Sequence, residues 1–203
     1  LKINGCVIKN LLVGKNDMKK IAILASGSGS NAENIITYLR NKDADVSFVV
    51  YTNNPNAFVI NRAEKLQERC VVFSKNEMQN GTLQNMFCEE EFDLIVLAGF
   101  LLKIPAEIIE SFSQKIINIH PALLPKYGGK GMYGDNVHKA VCAAKEKESG
   151  ITIHYVNENY DEGATIFQAK CEVLPSDSPE DVAQKVHALE YEHFPKVIET
   201  LLW

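Results

Sequence analysis

The chain has 203 residues and a formal net charge of −5, so it has the length for one domain with a sizeable core. Its 21 Lys and Arg are scattered, which argues against a nucleic-acid or membrane surface. The five cysteines form no Cys-x-x-Cys motif, and their odd number is typical of reduced thiols. We therefore expect a cytoplasmic protein whose cysteines, including Cys142 in an apolar helical run, only pack.

Residues 1–17 differ in character from the rest, because Met18-Lys-Lys opens the first strand as a natural start would. The apolar run 11–13 is too short for a secretory signal. We expect residues 1–17 to be a leader or an expression-derived segment, and residues 18–203 to form a single domain.

Apolar runs alternate with helical patterns through the first 120 residues. Runs of this kind without polar alternation are typical of strands buried on both faces. The predicted strands are 21–25, 46–51, 70–73, 93–98 and 115–119, and the predicted helices are 31–40, 57–68 and 83–90. This order predicts an α/β fold, a doubly wound and mostly parallel sheet with a Rossmann-type N-terminal half. Ligands bind such sheets beyond the carboxyl ends of the strands, so the loops after Ala25, Ala98 and Ile119 are the expected site.

After residue 120 the alternation of apolar runs and helical patterns ends. The glycine-rich segment 127–134 predicts a mobile surface loop. A helix at 136–147 precedes two alternating strands, 151–156 and 164–170, which predict an antiparallel hairpin added to the sheet. Ser178-Pro-Glu-Asp181 predicts the capped start of a long amphipathic C-terminal helix.

The loop Gly27-Ser-Gly-Ser-Asn31 lies between a buried strand and a helix start, where backbone N–H groups favour an anion such as phosphate. With Ala32 it also fits the dinucleotide pattern G-x-G-x-x-A. NAD would require a carboxylate at the end of the second strand, but the residues there are Tyr51-Thr-Asn-Asn54. A phosphomonoester fits best, NADP held by Arg62 is a weaker alternative, and a tight turn without a ligand is the third.

Asn118 and His120 end the fifth strand and are followed by Pro121 and Pro125, which restrict the backbone. The amide of Asn118 and a protonated His120 could both donate to a developing oxyanion. A lone histidine is more often a structural residue than a catalytic one. Asp161, in a predicted turn, could raise the pKa of a neighbouring His120 above about 6.5, although aspartate is common in turns for conformational reasons.

The other histidines, His138, His154, His187 and His193, lack metal-ligand spacing, and His154 is expected to be a hydrogen-bonded core residue. We expect no metal.

Taken together, these motifs resemble the glycinamide ribonucleotide formyltransferases, folate-dependent enzymes of purine synthesis, from about Met18 to Leu202. The anchors are Ser26-Gly-Ser-Gly-Ser-Asn31, Val96-Leu-Ala-Gly-Phe100, Asn118-Ile-His-Pro-Ala-Leu-Leu-Pro125, Asp161-Glu-Gly163 and Glu190. The Asn-x-His-Pro segment also occurs in methionyl-tRNA formyltransferase and formyltetrahydrofolate deformylase. The glycine loop followed by Asn31 favours the ribonucleotide enzymes.

The resemblance implies two small-molecule substrates, glycinamide ribonucleotide and 10-formyltetrahydrofolate. Gly29, Ser30 and Asn31 would hold the phosphate of the ribonucleotide, and Glu190 its ribose or amine end. Leu101, Leu102, Lys103 and Ile104, with Asn118, would line the folate pocket.

In the mechanism that the resemblance implies, the amine attacks the formyl carbon directly. Asn118 and His120 would stabilise the oxyanion, His120 would carry the proton to N10, and Asp161 would orient the imidazole. Asn76 and Leu102 stand where several members have arginine, and Lys103 is a candidate replacement. The alternatives are a formylfolate hydrolase with the same three residues and a non-catalytic phosphate-binding module. We expect a monomer or a weak homodimer.

Overall fold

The computed structural model describes residues 18–203, so the prediction for residues 1–17 lies outside the described residues. Seven strands form one sheet in the order β3-β2-β1-β4-β5-β6-β7. The strands are β1 (Lys19–Leu24), β2 (Val46–Thr52), β3 (Arg69–Val72), β4 (Leu94–Leu97), β5 (Ile116–His120), β6 (Glu148–Tyr155) and β7 (Thr165–Glu172). The helices are α1 (Ser30–Asn41), α2 (Val59–Lys65), α3 (Lys75–Gln79), α4 (Thr82–Glu90), α5 (Ala106–Ser111), α6 (Asp135–Ala143) and α7 (Pro179–Leu202).

The first five strands are parallel, while β6 runs antiparallel to both β5 and β7. The predicted doubly wound sheet with an added hairpin is therefore confirmed. The order of the strands reverses between β1 and β4, because β2 lies on one side of β1 and β4 on the other. Such a switch point leaves a crevice beyond the carboxyl ends of the two strands.

Both faces of the sheet are covered, as the unbroken apolar runs predict. On one face, Ile21 and Ile23 belong to a core that includes residues of α1, α6 and α7. On the other face, Ala22 and Leu24 belong to a core that includes residues of α4 and α5. Neighbouring residues of β1 thus serve opposite cores, which fixes the strand in the middle of three layers.

Two short helices were not predicted. The helix α3 is five residues long, but its start has a sequence signal, a capping box. The Ser74 hydroxyl accepts from the backbone N–H of Glu77, and the Glu77 carboxylate accepts from the backbone N–H of Ser74. The helix α5 follows Pro105 and has six residues. Single turns of this length are stabilised by packing on the sheet rather than by their own propensity.

Boundaries differ most around α6. The helix was predicted to reach Lys147 but ends at Ala143, and β6 begins at Glu148 rather than Ile151. Lys145 takes a positive φ of 52°, which is incompatible with a continuing helix. The C-terminal helix begins as predicted, with a reciprocal cap between Ser178 and Asp181.

Cys142 on α6 is half-buried, and burial raises the pKa of its thiol. A raised thiol pKa lowers the fraction of nucleophilic thiolate, which agrees with the expected packing role. None of the helices in residues 18–203 has the length and apolar character needed to cross a membrane.

Candidate active site

A cavity of about 400 Å³ opens at the switch point of the sheet. It is lined by the loop after β1, the segment after β4, the end of β5, the glycine-rich loop and one face of α7. The residues to which the resemblance assigns catalysis or substrate binding all line it: Gly29, Ser30, Asn31, Leu101, Leu102, Lys103, Ile104, Asn118, His120, Asp161 and Glu190. The fold therefore brings residues up to 161 positions apart in the sequence to one place.

The glycine loop presents the free N-terminus of α1. Gly29 is the N-cap residue, and the helix start has no side-chain cap, so the first N–H groups are left for a ligand. Gly29 has a φ of 72°, and a Cβ there would lie 2.2 Å from Val59 Cγ2. Both observations require glycine at this position.

Two side chains hold the glycine loop in place. The Ser26 hydroxyl donates to Asn53 at 2.7 Å and accepts the backbone N–H of Leu101 at 3.0 Å, which ties the loop to the segment after β4. Arg62 donates to the Ser28 carbonyl at 3.0 Å and pairs with Glu33. Because this guanidinium is already engaged, it is poorly placed to receive the 2′-phosphate of NADP.

Glu190 is a buried carboxylate facing the loop. Its Oε2 accepts from Asn31 Nδ2 at 2.8 Å and lies 3.0 Å from Nδ1 of His187, which is exposed. The hydrogen bond with Glu190 raises the pKa of His187. Nearby, two buried atoms that line the cavity lack a hydrogen-bond partner among residues 18–203, Asn31 Oδ1 and His138 Nδ1. Buried polar atoms are rarely left unpaired, so these two mark hydrogen-bonding capacity for a ligand.

His120 is only 3% exposed, and its ring is held by a hydrogen bond at one nitrogen while the other faces Asp161. Its Nε2 lies 2.7 Å from the Tyr127 carbonyl, which can only accept, so Nε2 carries a proton. Its Nδ1 lies 3.6 Å from Asp161 Oδ2. Asp161 also accepts the backbone N–H of Gly129 at 2.8 Å.

The net pKa shift of His120 is opposite to the predicted one. Asp161 raises the pKa of His120 as expected, but burial lowers it by more, so the pKa is below its ordinary value. Without a ligand the protein therefore favours the neutral ring, with the proton on Nε2 and a lone pair on Nδ1. The pKa of Asp161 is lowered; burial raises it, but interactions with His154, His120 and Gly129 together outweigh that effect.

The segment after His120 is anchored to β6 and β7. The Thr152 hydroxyl donates to the Ala122 carbonyl at 2.7 Å and accepts the Leu124 N–H at 3.0 Å. Gln168 donates to the Leu124 carbonyl at 3.0 Å. The peptide bond between Leu124 and Pro125 is cis. The backbone behind the histidine is thus fixed by side chains of the added hairpin.

Comparison with known proteins agrees with this geometry. The sequence profile of the family described as formyl transferase matches residues 19–198. The chain belongs to the formyl transferase family. It is 37% identical over 191 residues to phosphoribosylglycinamide formyltransferase of Bacillus subtilis, which covers 91% of this chain and 95% of that protein. The corresponding protein of Haemophilus influenzae is 36% identical over 188 residues, covering 90% of this chain and 86% of its own length.

A chloroplastic member of the family from Arabidopsis thaliana is also 37% identical, and the match spans 64% of its length. Among solved structures, glycinamide ribonucleotide transformylase 1 of Geobacillus kaustophilus superposes with a TM-score of 0.83 at 30% identity, covering 92% of this chain and 100% of that one. The resemblance read from the sequence, and with it the expected class of enzyme, is confirmed.

The formyl transferase site contains residues that the sequence did not reveal. His154 was expected in the core; it is buried, but it also lines the cavity and lies 3.1 Å from Asn118. Its contact depends on the register of β5 and β6, which no sequence pattern gives. His187 had a signal, since it stands three residues before Glu190 on a predicted helix.

The glycine-rich loop is not only a surface feature. Lys130 and Gly131 are exposed as predicted, but Gly129 to Asp135 line the cavity, and Tyr127 and Gly129 contact His120 and Asp161. On the apolar side of the cavity, Leu102 is half-buried and Lys103 is exposed, with Nζ 5.7 Å from the centre of the Tyr160 ring. Asn76 is exposed on α3 and is not among the cavity residues.

Proposed function

We propose that this chain transfers the formyl group of 10-formyltetrahydrofolate to the amine of glycinamide ribonucleotide, a step of purine biosynthesis. The observation that carries the proposal is one cavity lined by the uncapped start of α1, the buried His120 and the apolar side chains of Leu101, Leu102 and Ile104. The part of the chain that the structure describes places no three His, Cys, Asp or Glu residues together for a metal ion.

The ribonucleotide binds at the end of the cavity that is formed by the N-terminus of α1. The backbone N–H groups of Gly29, Ser30 and Asn31 hold its phosphate, because the uncapped helix start offers both donors and a favourable dipole. Glu190 accepts from the ribose hydroxyls or the amine. The pterin of the folate lies against Leu101, Leu102 and Ile104, and Lys103 offers the folate carboxylates a cation.

The reaction begins with a neutral His120. The substrate amine attacks the formyl carbon, so a C–N bond forms and the carbonyl oxygen becomes an oxyanion. The free N–H of the Asn118 amide donates to this oxyanion, a contact typically worth 10²- to 10³-fold in rate. The unprotonated Nδ1 of His120 takes a proton from the attacking nitrogen.

The resulting imidazolium is stabilised by the Asp161 carboxylate at 3.6 Å. It then returns the proton to N10 of the folate as the C–N10 bond breaks. One proton leaves the amine and one arrives at N10, so the exchange balances without a further reactant. The lowered pKa of His120 suits this role better than the protonated donor considered from the sequence.

The test is a steady-state assay of tetrahydrofolate release from 10-formyltetrahydrofolate, with and without glycinamide ribonucleotide. We expect release only when the ribonucleotide is present, and a His120→Ala variant that stays folded but loses most of the rate. Equal release without the ribonucleotide would identify a hydrolase. Binding of the ribonucleotide without any turnover would identify a phosphate-binding module. Either result would refute the proposal.

We also propose that the protein works in the cytoplasm as a monomer or a weak homodimer. Sedimentation velocity over a concentration series and fractionation of the source cells test these two statements. A stable higher oligomer, or recovery in an organelle, would contradict them. Residues 1–17 are proposed to be dispensable, and residues 18–203 to be one domain, so a chain beginning at Met18 should keep full activity.

A further inference from the structure

His154 lies directly opposite Asn118 in the antiparallel register of β5 and β6. It is 2% exposed, and its Nε2 is 3.1 Å from Asn118 Nδ2. Asp161 Oδ1 is 3.7 Å from the same nitrogen, beyond hydrogen-bond distance. The amide of Asn118 is therefore the partner of this ring nitrogen.

The other ring nitrogen determines which way that hydrogen bond runs. His154 Nδ1 lies 2.8 Å from the Tyr155 carbonyl oxygen, which can only accept, so Nδ1 carries the proton. With Nδ1 protonated, the neutral ring has a lone pair at Nε2 and must accept from Asn118. The backbone thus sets the tautomer, and the tautomer sets the direction in which the Asn118 amide faces.

Gly163 makes this arrangement sterically feasible. A Cβ at Gly163 would lie 1.7 Å from the Tyr155 carbonyl oxygen and 3.4 Å from His154 Nδ1. Any side chain at this position would displace the carbonyl that holds the ring. Gly163 therefore leaves room for the Tyr155 carbonyl, which orients the His154 ring, which in turn orients the Asn118 amide.

We propose that His154 is a positioning residue that holds the Asn118 amide with its N–H₂ group, rather than its oxygen, available to the oxyanion. An Asn amide is nearly symmetric in shape, so packing alone does not choose between its two orientations. In the wrong orientation the amide oxygen would repel the oxyanion instead of stabilising it. This proposal rests on the proposed function of the site.

Two amide substitutions at His154 distinguish the role of Nε2 from the role of Nδ1. In His154→Gln the side-chain amide reaches the position of Nε2 and offers Asn118 an acceptor. In His154→Asn the shorter amide reaches only the position of Nδ1 and leaves Asn118 without an acceptor. His193→Asn on α7 is the matched control, because His193 lies outside the cavity lining.

We expect His154→Asn to lower kcat by about 10- to 100-fold, part of the typical effect of one oxyanion donor, with KM for both substrates changed less than threefold. His154→Gln should recover most of kcat, and His193→Asn should leave it unchanged. In the Asn118→Ala background, His154→Asn should lower kcat less than threefold, because the two changes remove one interaction. Equal losses in the wild-type and Asn118→Ala backgrounds, or equal losses in the Gln and Asn variants, would overturn the proposal.

A measurement on the wild-type protein tests the proposal even if a variant does not fold. The ¹⁵N shifts of the His154 ring at pH 8 report which nitrogen is protonated. Protonated Nδ1 with unprotonated Nε2 supports the proposal. Protonated Nε2, alone or together with Nδ1, overturns it. This readout needs no turnover, so it stays distinct from a failure of the proposed function.

Discussion

The charge of Asp161 is the feature whose removal tests the mechanism most directly. Asp161→Asn keeps the shape of the side chain, and its amide oxygen can still accept the N–H of Gly129. Residue 161 has a φ of 57°, a conformation that asparagine also tolerates. The substitution therefore removes a charge with little change in structure.

The magnitude follows from the distance between the two groups. Two unit charges 3.6 Å apart attract by about 4.6 kcal/mol at an effective dielectric constant of 20. Little solvent screens the pair, since the His120 and Asp161 side chains are 4% and 12% exposed. Allowing for residual screening, we expect a loss of about 2–4 kcal/mol of transition-state stabilisation, or roughly 30- to 1000-fold in kcat.

The pH profile gives a second, independent test, because the direction in which its acidic limb moves can be predicted. Protonating His120 in the free enzyme removes the base, so kcat/KM falls as pH decreases through its pKa. Asp161 raises this pKa, and burial lowers it. Asp161→Asn removes the largest of the effects that raise this pKa, so the acidic limb moves to lower pH while the plateau decreases.

The assay is kcat and kcat/KM for formyl transfer between about pH 5 and 9, spanning the ordinary histidine pKa. The control is Asp43→Asn, an exposed aspartate that also has a positive φ and lies outside the cavity. We expect its profile to match the wild type. A plateau within threefold of wild type for Asp161→Asn, or an acidic limb that moves to higher pH, would refute the reasoning.

Three further predictions concern substrate binding and stability. Gly29→Ala should raise KM for the ribonucleotide at least about tenfold with little change for the folate, since the new Cβ would lie 2.2 Å from Val59 Cγ2 and displace the phosphate loop; equal changes in both KM values would contradict this. Lys103→Ala should raise KM for the folate several-fold, whereas Asn76→Ala, outside the cavity, should not, and the reverse order would be evidence against the assigned cation. Ser178→Ala removes the hydroxyl that caps α7 and should lower the free energy of unfolding in urea by about 1 kcal/mol without changing kcat; an unchanged stability would show that the cap contributes little.

The sequence by itself was enough to predict the sheet and most of its helices. Buried parallel strands such as 21–25 and 93–98 are uniformly apolar, and this pattern does not depend on what packs against them. Motifs contained in one segment could also be recognised, because the functional groups of Gly27 to Asn31 and of Asn118 to His120 each lie within a few residues. The rule that ligands lie beyond the carboxyl ends of parallel strands then placed these motifs in one site.

Tertiary structure decided what depends on contacts between distant segments. The pKa of His120 is the balance of burial against the charge of Asp161, and only the packed structure sets how complete that burial is. The partnership of His154 with Asn118 depends on the register of two antiparallel strands, in which a shift of one residue would turn the ring to the opposite face. The sequence thus determined which groups are available for the chemistry. The fold decided their protonation and their orientation, because both depend on neighbours that the chain brings close only when it is folded.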